Sequence, residues 1–154
     1  MAREIERKFL VRHEGWREQV SRASSIVQAY LGAAPGLSIR LRIRDGETAF
    51  LTVKSAEKGL SRSEFEYPIP VPDAEAMIAL SQGPRLQKTR HDVMLGDLKW
   101  EVDVFEGVNA GLVLVEVELP SEDHAVPLPD WIGEEVTGDP RFYNEQLAQM
   151  PPSA

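Results

Sequence analysis

Glutamates stand two residues apart at three places in this sequence: Glu4 and Glu6, Glu64 and Glu66, and Glu116 and Glu118. Cations recur at the same interval, as Arg40, Arg42 and Arg44 and as Lys88 and Arg90. Lys8 and Arg62 share the parity of their own charged neighbours, Lys54 shares that of Thr52, and Glu101 and Asp103 form one more acidic pair. Along a strand, residues two apart share a face and lie roughly 6.5–7 Å apart. Three arginines in such a row repel one another unless an anion or carboxylates lie between them, and paired glutamates repel unless a cation relieves them. A polar lumen in which basic and acidic groups face each other meets both demands. The chemistry open to it is that of phosphate. A linear triphosphate carries about four to five negative charges and needs several guanidinium and ammonium groups. Carboxylates beside it would repel it without a hard divalent ion, and Mg2+ takes carboxylate oxygens together with substrate phosphates. One ion can bridge the phosphoryl group and a second can orient the attacking water. Phosphoryl transfer asks mostly for positioning and charge neutralisation, so a site without an obvious nucleophile suffices.

The elements that must hold these side chains are mostly strands. Period-2 alternation predicts them over 3–11, 26–31, 37–45, 48–55, 61–69, 85–93, 97–106 and 112–119. In each, apolar residues such as Ile5 and Phe9, or Ile39, Leu41 and Ile43, oppose the charges. Asp45-Gly46 is a strong hairpin signal, because glycine tolerates positive φ, and Gly96-Asp97 and the Gly107 to Gly111 segment mark two more turns. Helices are expected over 72–80, from an Asp73 cap into good helix formers, and over 139–150, from Asp139-Pro140 through Leu147. Residues 13–24 form a further helix candidate. The fold class is therefore α+β, with an eight-stranded antiparallel barrel, a few short helices outside and a C-terminal helix near one end. Eight strands are about the number at which a sheet closes around one small ligand. Residues 1–150 read as a single domain and 151–154 as a frayed, disordered tail. A charged strand face is ordinarily half-solvated, but here the positions hold long Arg, Lys and Glu with little Ser or Thr.

Composition removes other function classes. The formal charge of −8 argues against non-specific nucleic-acid binding, so no DNA partner is expected. No apolar run is long enough to span a membrane, and the opening MAREIERKFL lacks the apolar core of a signal peptide. Zero cysteines exclude a disulfide framework and thiolate chemistry and suit a cytoplasmic location. A small-molecule triphosphate is the expected partner, and a homodimer is compatible with this reading.

The opening Glu4-Ile5-Glu6-Arg7-Lys8 matches an ExExK signature, and ordered blocks continue it almost to the end of the chain. They include Gln28-Ala29-Tyr30-Leu31, Arg42-Ile43-Arg44, Leu51-Thr52-Val53-Lys54, Lys88-Thr89-Arg90, Glu101-Val102-Asp103-Val104-Phe105 and Leu114-Val115-Glu116-Val117-Glu118. Further blocks are Leu60 to Glu66 and Trp131 to Thr137. In this the chain resembles the CYTH superfamily, the triphosphate tunnel metalloenzymes, and within it the short bacterial inorganic tripolyphosphatases. The resemblance implies an eight-stranded tunnel with its ligand inside and a requirement for Mg2+ or Mn2+. It implies that Glu4, Glu6, Glu116 and Glu118 are the main metal ligands, with Asp103, Glu64, Glu66 and Glu135 as a second tier. Lys8, Arg42, Arg44, Lys54, Lys88 and Arg90 would bind phosphate, joined on parity by Arg40 and Arg62. Glu4, Glu6 and Lys88 are the candidates for a direct catalytic part. Lys88 would act either as a neutral base toward water or as a cation holding phosphate.

The expected activity is divalent-metal-dependent hydrolysis of tripolyphosphate to pyrophosphate and phosphate. The alternatives are an adenylate cyclase, a thiamine or nucleoside triphosphatase, and a non-catalytic polyphosphate or nucleotide sensor. His13, His91 and His124 lack ligand spacing and read as surface or structural groups. Trp16, Trp100 and Trp131 read as core or capping residues, and Arg7 as a surface residue opposite Glu6. The parity of Tyr30 is not fixed by its neighbours.

Overall fold

The computed structural model describes residues 3–34, 36–55, 61–81 and 85–149. The 151–154 tail lies outside them. Strands β1 (Arg3–Val11), β2 (Val20–Ala34), β3 (Leu37–Arg44), β4 (Thr48–Ser55) and β5 (Ser61–Ile69) precede helix α1 (Val71–Ser81). Strands β6 (Arg85–Leu95), β7 (Leu98–Phe105), β8 (Val113–Glu118) and β9 (Ile132–Glu135) follow, and α2 (Asn144–Gln149) comes last. All pairings are antiparallel, and the ring β1–β5–β4–β3–β2–β6–β7–β8 closes back on β1, giving a barrel of eight strands. Closure is made by β1 alone. Residues 3–5 of β1 pair with Ser61–Ser63 of β5, while Glu6 to Leu10 pair with β8 on the opposite edge. Where β5 leaves that edge of β1, the short β9 takes its place.

Local chemistry accounts for the tight turns. Asp45 (φ 54°) and Gly46 (φ 66°) are both left-handed, as the hairpin between β3 and β4 requires. Gly133 sits where a Cβ would come within 3.0 Å of the Leu10 carbonyl oxygen, so β9 can approach β1 only without a side chain there. Three apolar clusters hold the shell. Trp16, Trp100 and Trp131 pack with Phe9, Val102 and Val117 outside β1 and β6–β8. Helix α1 buries Ala74 and Ile78 against Ala29, Leu41, Ile43 and Ala49. The third cluster joins Leu86, Phe105 and Leu114 to Val136, Phe142, Leu147 and Ala148. Leu86, Phe105 and Leu114 have the same strand parity as Lys88, Asp103 and Glu116, so this cluster fills one end of the lumen.

Three expectations need correction. The helix expected over 13–24 is a short 3-10 turn, Gly15–Gln19, after which β2 already begins at Val20. Pairing with β6, from Val20 onward, makes a strand of a polar, Ser-rich stretch whose own propensity is poor. The helix expected over 139–150 is broken: Asp139 caps a 3-10 turn, Pro140–Phe142, and α2 starts only at Asn144. Strand β9 is additional to the expected eight. The α1 helix occupies its expected place with one residue more at each end. Among the described residues no helix is long and apolar enough to cross a membrane.

Candidate functional site

Because each strand alternates, one face of every strand points into the barrel, and the charged face is the inner one. A cavity of about 200 Å3 runs along it. From β1 and β8 come Glu4, Glu6, Lys8, Glu116 and Glu118; from β3 come Arg40, Arg42 and Arg44. In the closed ring β3 and β8 are four strands apart in either direction, so the arginine row faces the Glu116–Glu118 strand across the lumen. Lys54, Arg62, Glu64 and Glu66 enter from β4 and β5, and Arg90 and Glu101 from β6 and β7.

Opposite charges are interleaved. Lys54 Nζ lies 3.1 Å from Glu4 and 3.2 Å from Glu64. Arg62 reaches Glu4 at 3.6 Å and Glu6 at 3.3 Å. Lys8 lies 3.5 Å from Glu116 and also donates to the Phe142 carbonyl at 2.9 Å. Arg42 is buried and donates to Gln28 Oε1 at 2.7 Å. Arg40 lies 3.8 Å from Glu66, and Thr52 donates to the same carboxylate at 3.0 Å. The Arg40 Nε is buried without a hydrogen-bond partner. Arg90 is held by Asp103 through two 2.8 Å bonds, with Glu101 at 3.3 Å from its third nitrogen.

Proton affinities show where charge is uncompensated. Burial, then Glu116 and Glu4, push the Glu6 carboxyl up to about 8. Burial raises Glu4 against the pull of Lys54, and burial with Glu4 and Glu101 raises Glu118. Glu116 goes the other way: against the cost of burial, Lys8, Arg90 and Lys88 hold it well below the ordinary carboxylate value. Across the lumen, burial and the neighbouring Arg40 and Arg90 lower Arg42 to about 9. The β1–β8 wall is thus short of positive charge, and the β3 wall is short of negative charge. Three carboxylates that resist ionisation, all hard oxygen donors, fit a divalent cation on the first wall. Among the described residues no three acidic or histidine groups are already gathered at ligand distances.

Of the expected site residues, Glu4, Glu6, Lys8, Arg40, Arg42, Arg44, Lys54, Arg62, Glu64, Glu66, Arg90, Glu116 and Glu118 line one cavity. Lys88 and Asp103 do not. They lie behind Arg90, at 0% and 1% exposure, with Lys88 Nζ 2.6 Å from Asp103 Oδ2 and 3.0 Å from Asn144 Oδ1. Burial lowers Lys88 to about 7 against the attraction of Asp103. Burial would raise Asp103, but Arg90 and Lys88 hold it down at about 2. Glu135 points away from the lumen and takes two bonds from Arg7, at 2.7 and 2.9 Å, on the outer face. His13, His91 and His124 line no part of the cavity.

Several cavity residues were not on the expected list. Ser38 is in phase with Arg40 and Glu101 with Asp103, so parity carries both. Tyr30 is the cross-strand partner of Arg40 and accepts a bond from Gln28 at 3.2 Å. Tyr143 and Asn144 arrive from the C-terminal segment, where no alternation marks them; the Tyr143 ring lies 5.9 Å from both Lys8 Nζ and the Arg62 guanidinium.

Comparison with known proteins agrees with this geometry. The CYTH domain pattern matches residues 2–143. An inorganic triphosphatase from Acetivibrio thermocellus is 40% identical over 152 residues, covering 98% of this chain and 96% of that one. An inorganic triphosphatase from Nitrosomonas europaea is 45% identical over 150 residues, covering 94% and 96%. The crystal structure of an inorganic triphosphatase superposes with a TM-score of 0.68 at 38% identity, with 99% of each chain covered.

Proposed function

This chain belongs to the CYTH domain family, and on that footing we propose that it hydrolyses inorganic tripolyphosphate to pyrophosphate and orthophosphate with a divalent metal. The carrying observation is the lumen cavity of about 200 Å3, with arginines on one wall and uncompensated carboxylates on the facing one. That volume is below the roughly 300–1,000 Å3 usual for pockets that take drug-sized organic ligands. It suits a bare phosphate chain better than a nucleotide. The two named relatives with this fold are inorganic triphosphatases, which supports the same substrate class.

In this reading Arg40, Arg42 and Arg44 spread over the phosphate oxygens, with Lys8, Lys54, Arg62 and Arg90 completing the cationic set. Bidentate guanidinium contacts fix the chain's orientation as well as its charge. Glu4, Glu6, Glu116 and Glu118 would hold Mg2+ or Mn2+, with Glu64 and Glu66 nearer the rim. Bound there, such an ion neutralises phosphoryl charge and makes a coordinated water more acidic. One water is consumed per P–O–P bond broken, its oxygen going to one phosphate product and its protons to the products or medium. The chain acts as one domain over residues 1–150, in the cytoplasm, on a small molecule, without DNA or membrane as a partner.

Phosphate release from tripolyphosphate, ATP and thiamine triphosphate, each with Mg2+, with Mn2+ and with EDTA, tests this. Tripolyphosphate should be turned over fastest, and EDTA should abolish release. Preferential hydrolysis of ATP, cyclisation of ATP, or turnover indifferent to EDTA would overturn it.

A further inference from the structure

Arg90 is a lumen cation whose guanidinium is fixed from behind by a buried carboxylate. Asp103 takes its Nε and Nη2, each at 2.8 Å, and cannot turn without turning Arg90. Asp103 is in turn bonded by Lys88 at 2.6 Å, and among the described residues the Lys88 ammonium has one further oxygen partner, Asn144 Oδ1 at 3.0 Å. The Phe105 ring lies 5.6 Å from that nitrogen, and the side chain has no exposed surface. Arg90, Asp103 and Lys88 belong to β6 and β7. Asn144 alone comes from outside the barrel, on the first residue of α2.

Helix α2 is pinned independently of Lys88. The buried Asn109, in the 3-10 turn between β7 and β8, donates to the Leu147 carbonyl at 2.8 Å. Leu147 is fully buried among Leu86, Phe105 and Leu114. The segment just before α2 is held by Lys8 at the Phe142 carbonyl. Asn144 is therefore presented to Lys88 by a docked element and cannot drift with the ammonium.

We infer that Asn144 is a positioning residue: by fixing Lys88 and so Asp103, it sets the orientation in which Arg90 meets the phosphate chain. The inference rests on the triphosphatase reading above. A buried ammonium deprived of one oxygen partner must move toward another, and the Asp103 carboxylate it moves with carries the Arg90 plane. Displacement of a positioned group by about 1 Å costs on the order of 100-fold in rate.

The test compares the full-length wild type with Asn144→Leu, Asn144→Asp, Arg90→Lys and the double variant Asn144→Leu/Arg90→Lys. Readouts are kcat and KM for tripolyphosphate with Mg2+, metal-free affinity for tripolyphosphate by calorimetry, and the melting temperature. Asn144→Leu should lower kcat/KM about 10- to 100-fold, while Asn144→Asp, which keeps an oxygen for Lys88 but adds a negative charge at the cavity wall, should raise KM and keep kcat well above that of Asn144→Leu. In the Arg90→Lys background, where the bidentate Asp103 clamp is gone, adding Asn144→Leu should cost less than about threefold more. Equal losses in both backgrounds would make Asn144 a direct anion contact or a purely structural residue and overturn the inference, as would wild-type kinetics in Asn144→Leu. If Asn144→Leu fails to fold, Asn144→Ser, too short to reach Lys88, is held to the same figures. A wild type that binds tripolyphosphate without cleaving it refutes the hydrolase reading, and the affinities of the same variants then judge Asn144. A wild type that neither binds nor cleaves it overturns both.

Discussion

Replacing Glu6 by glutamine should stabilise the metal-free protein above neutral pH while impairing its activity. The Glu6 carboxyl sits at about 8 instead of 4.5, because it is buried and faces Glu116 and Glu4. Between pH 4.5 and 8 the folded protein therefore keeps a proton that the unfolded chain releases. Stability falls as pH rises through that window, and the loss levels off about one unit above its upper end. At about 1.36 kcal/mol per pH unit, the gap between the two values sets an upper limit of about 5 kcal/mol. Part of that burden passes to Glu116 and Glu4 when Glu6 is neutral, so about 2 kcal/mol is the expected gain for Glu6→Gln at pH 9, or about 4–8 °C in Tm. The assay is thermal unfolding of EDTA-treated wild type and variant from pH 5 to 9. The two should melt closest together at pH 5, diverge steadily from there to about pH 8, and stay a constant distance apart at pH 9. Lys88, lowered to about 7 chiefly by burial, acts with the opposite sign, gaining stability as pH rises above that value. It is common to both proteins and cancels in the difference. Saturating Mg2+ together with tripolyphosphate should close the gap by supplying the missing positive charge. Parallel curves from pH 5 to 9 would show that Glu6 carries no buried, uncompensated charge and would refute the reasoning.

Other perturbations probe the remaining parts. Glu4→Gln and Glu118→Gln should each lose about 100-fold or more in turnover at saturating metal, with an unchanged circular dichroism spectrum; undiminished hydrolysis by both would remove them from the site. Deleting residues 1–8 takes away the strand that joins β5 to β8 and opens two sheet edges, so insoluble or unfolded protein is expected, and a stable monomeric product in solution would refute closure through β1. Phe142→Ala empties part of the apolar end of the lumen, where Phe142 is packed with Leu86, Phe105 and Leu147. It should cost about 3–5 kcal/mol in a denaturant melt, whereas a loss under about 1 kcal/mol would mean that this end is not tightly filled.

Parity made the inner wall legible, because a period of two assigns each residue to a face without knowledge of its neighbours. It put Glu4, Glu6 and Lys8, or Arg40, Arg42 and Arg44, on one side correctly. Parity cannot give depth. Lys88 and Asp103 share the face of Arg90 and Glu101, yet they fall where the lumen turns apolar and are sealed behind the wall. The same phase that carries Glu116 and Arg90 carries Leu114 and Leu86, so the change from charge to leucine along one face records the closed end. Two elements were hidden for other reasons. The first half of β2 is rich in Ser and Ala and is a strand only because β6 pairs with it from Val20 onward. The four residues of β9 include Gly133, which weakens any strand pattern but is what lets it lie against β1. Tyr143 follows a 3-10 turn and Asn144 opens a helix of six residues, so neither period marks them.

Charge balance ties the two ligand sets together. Among the described residues seven carboxylates and seven cations line the cavity, which is therefore close to neutral when all are ionised. A triphosphate entering alone would add about four to five negative charges to a space walled by protein, and the reluctance of Glu4, Glu6 and Glu118 to ionise shows that wall is already over-supplied. A divalent cation entering alone would meet the opposite difficulty beside the Arg40–Arg42–Arg44 row, where Arg42 is already pushed toward its neutral form. Entering together they would leave the lumen with about two to three excess negative charges instead of four to five, with positive charge supplied to the β1–β8 wall and negative charge to β3. Because those walls stand opposite each other in a closed ring, neither can swing away to relieve its own excess. A barrel that separates like charges onto facing strands would thus make anion and metal binding mutually dependent, and the dependence would come from the ring order of the strands as much as from any one residue.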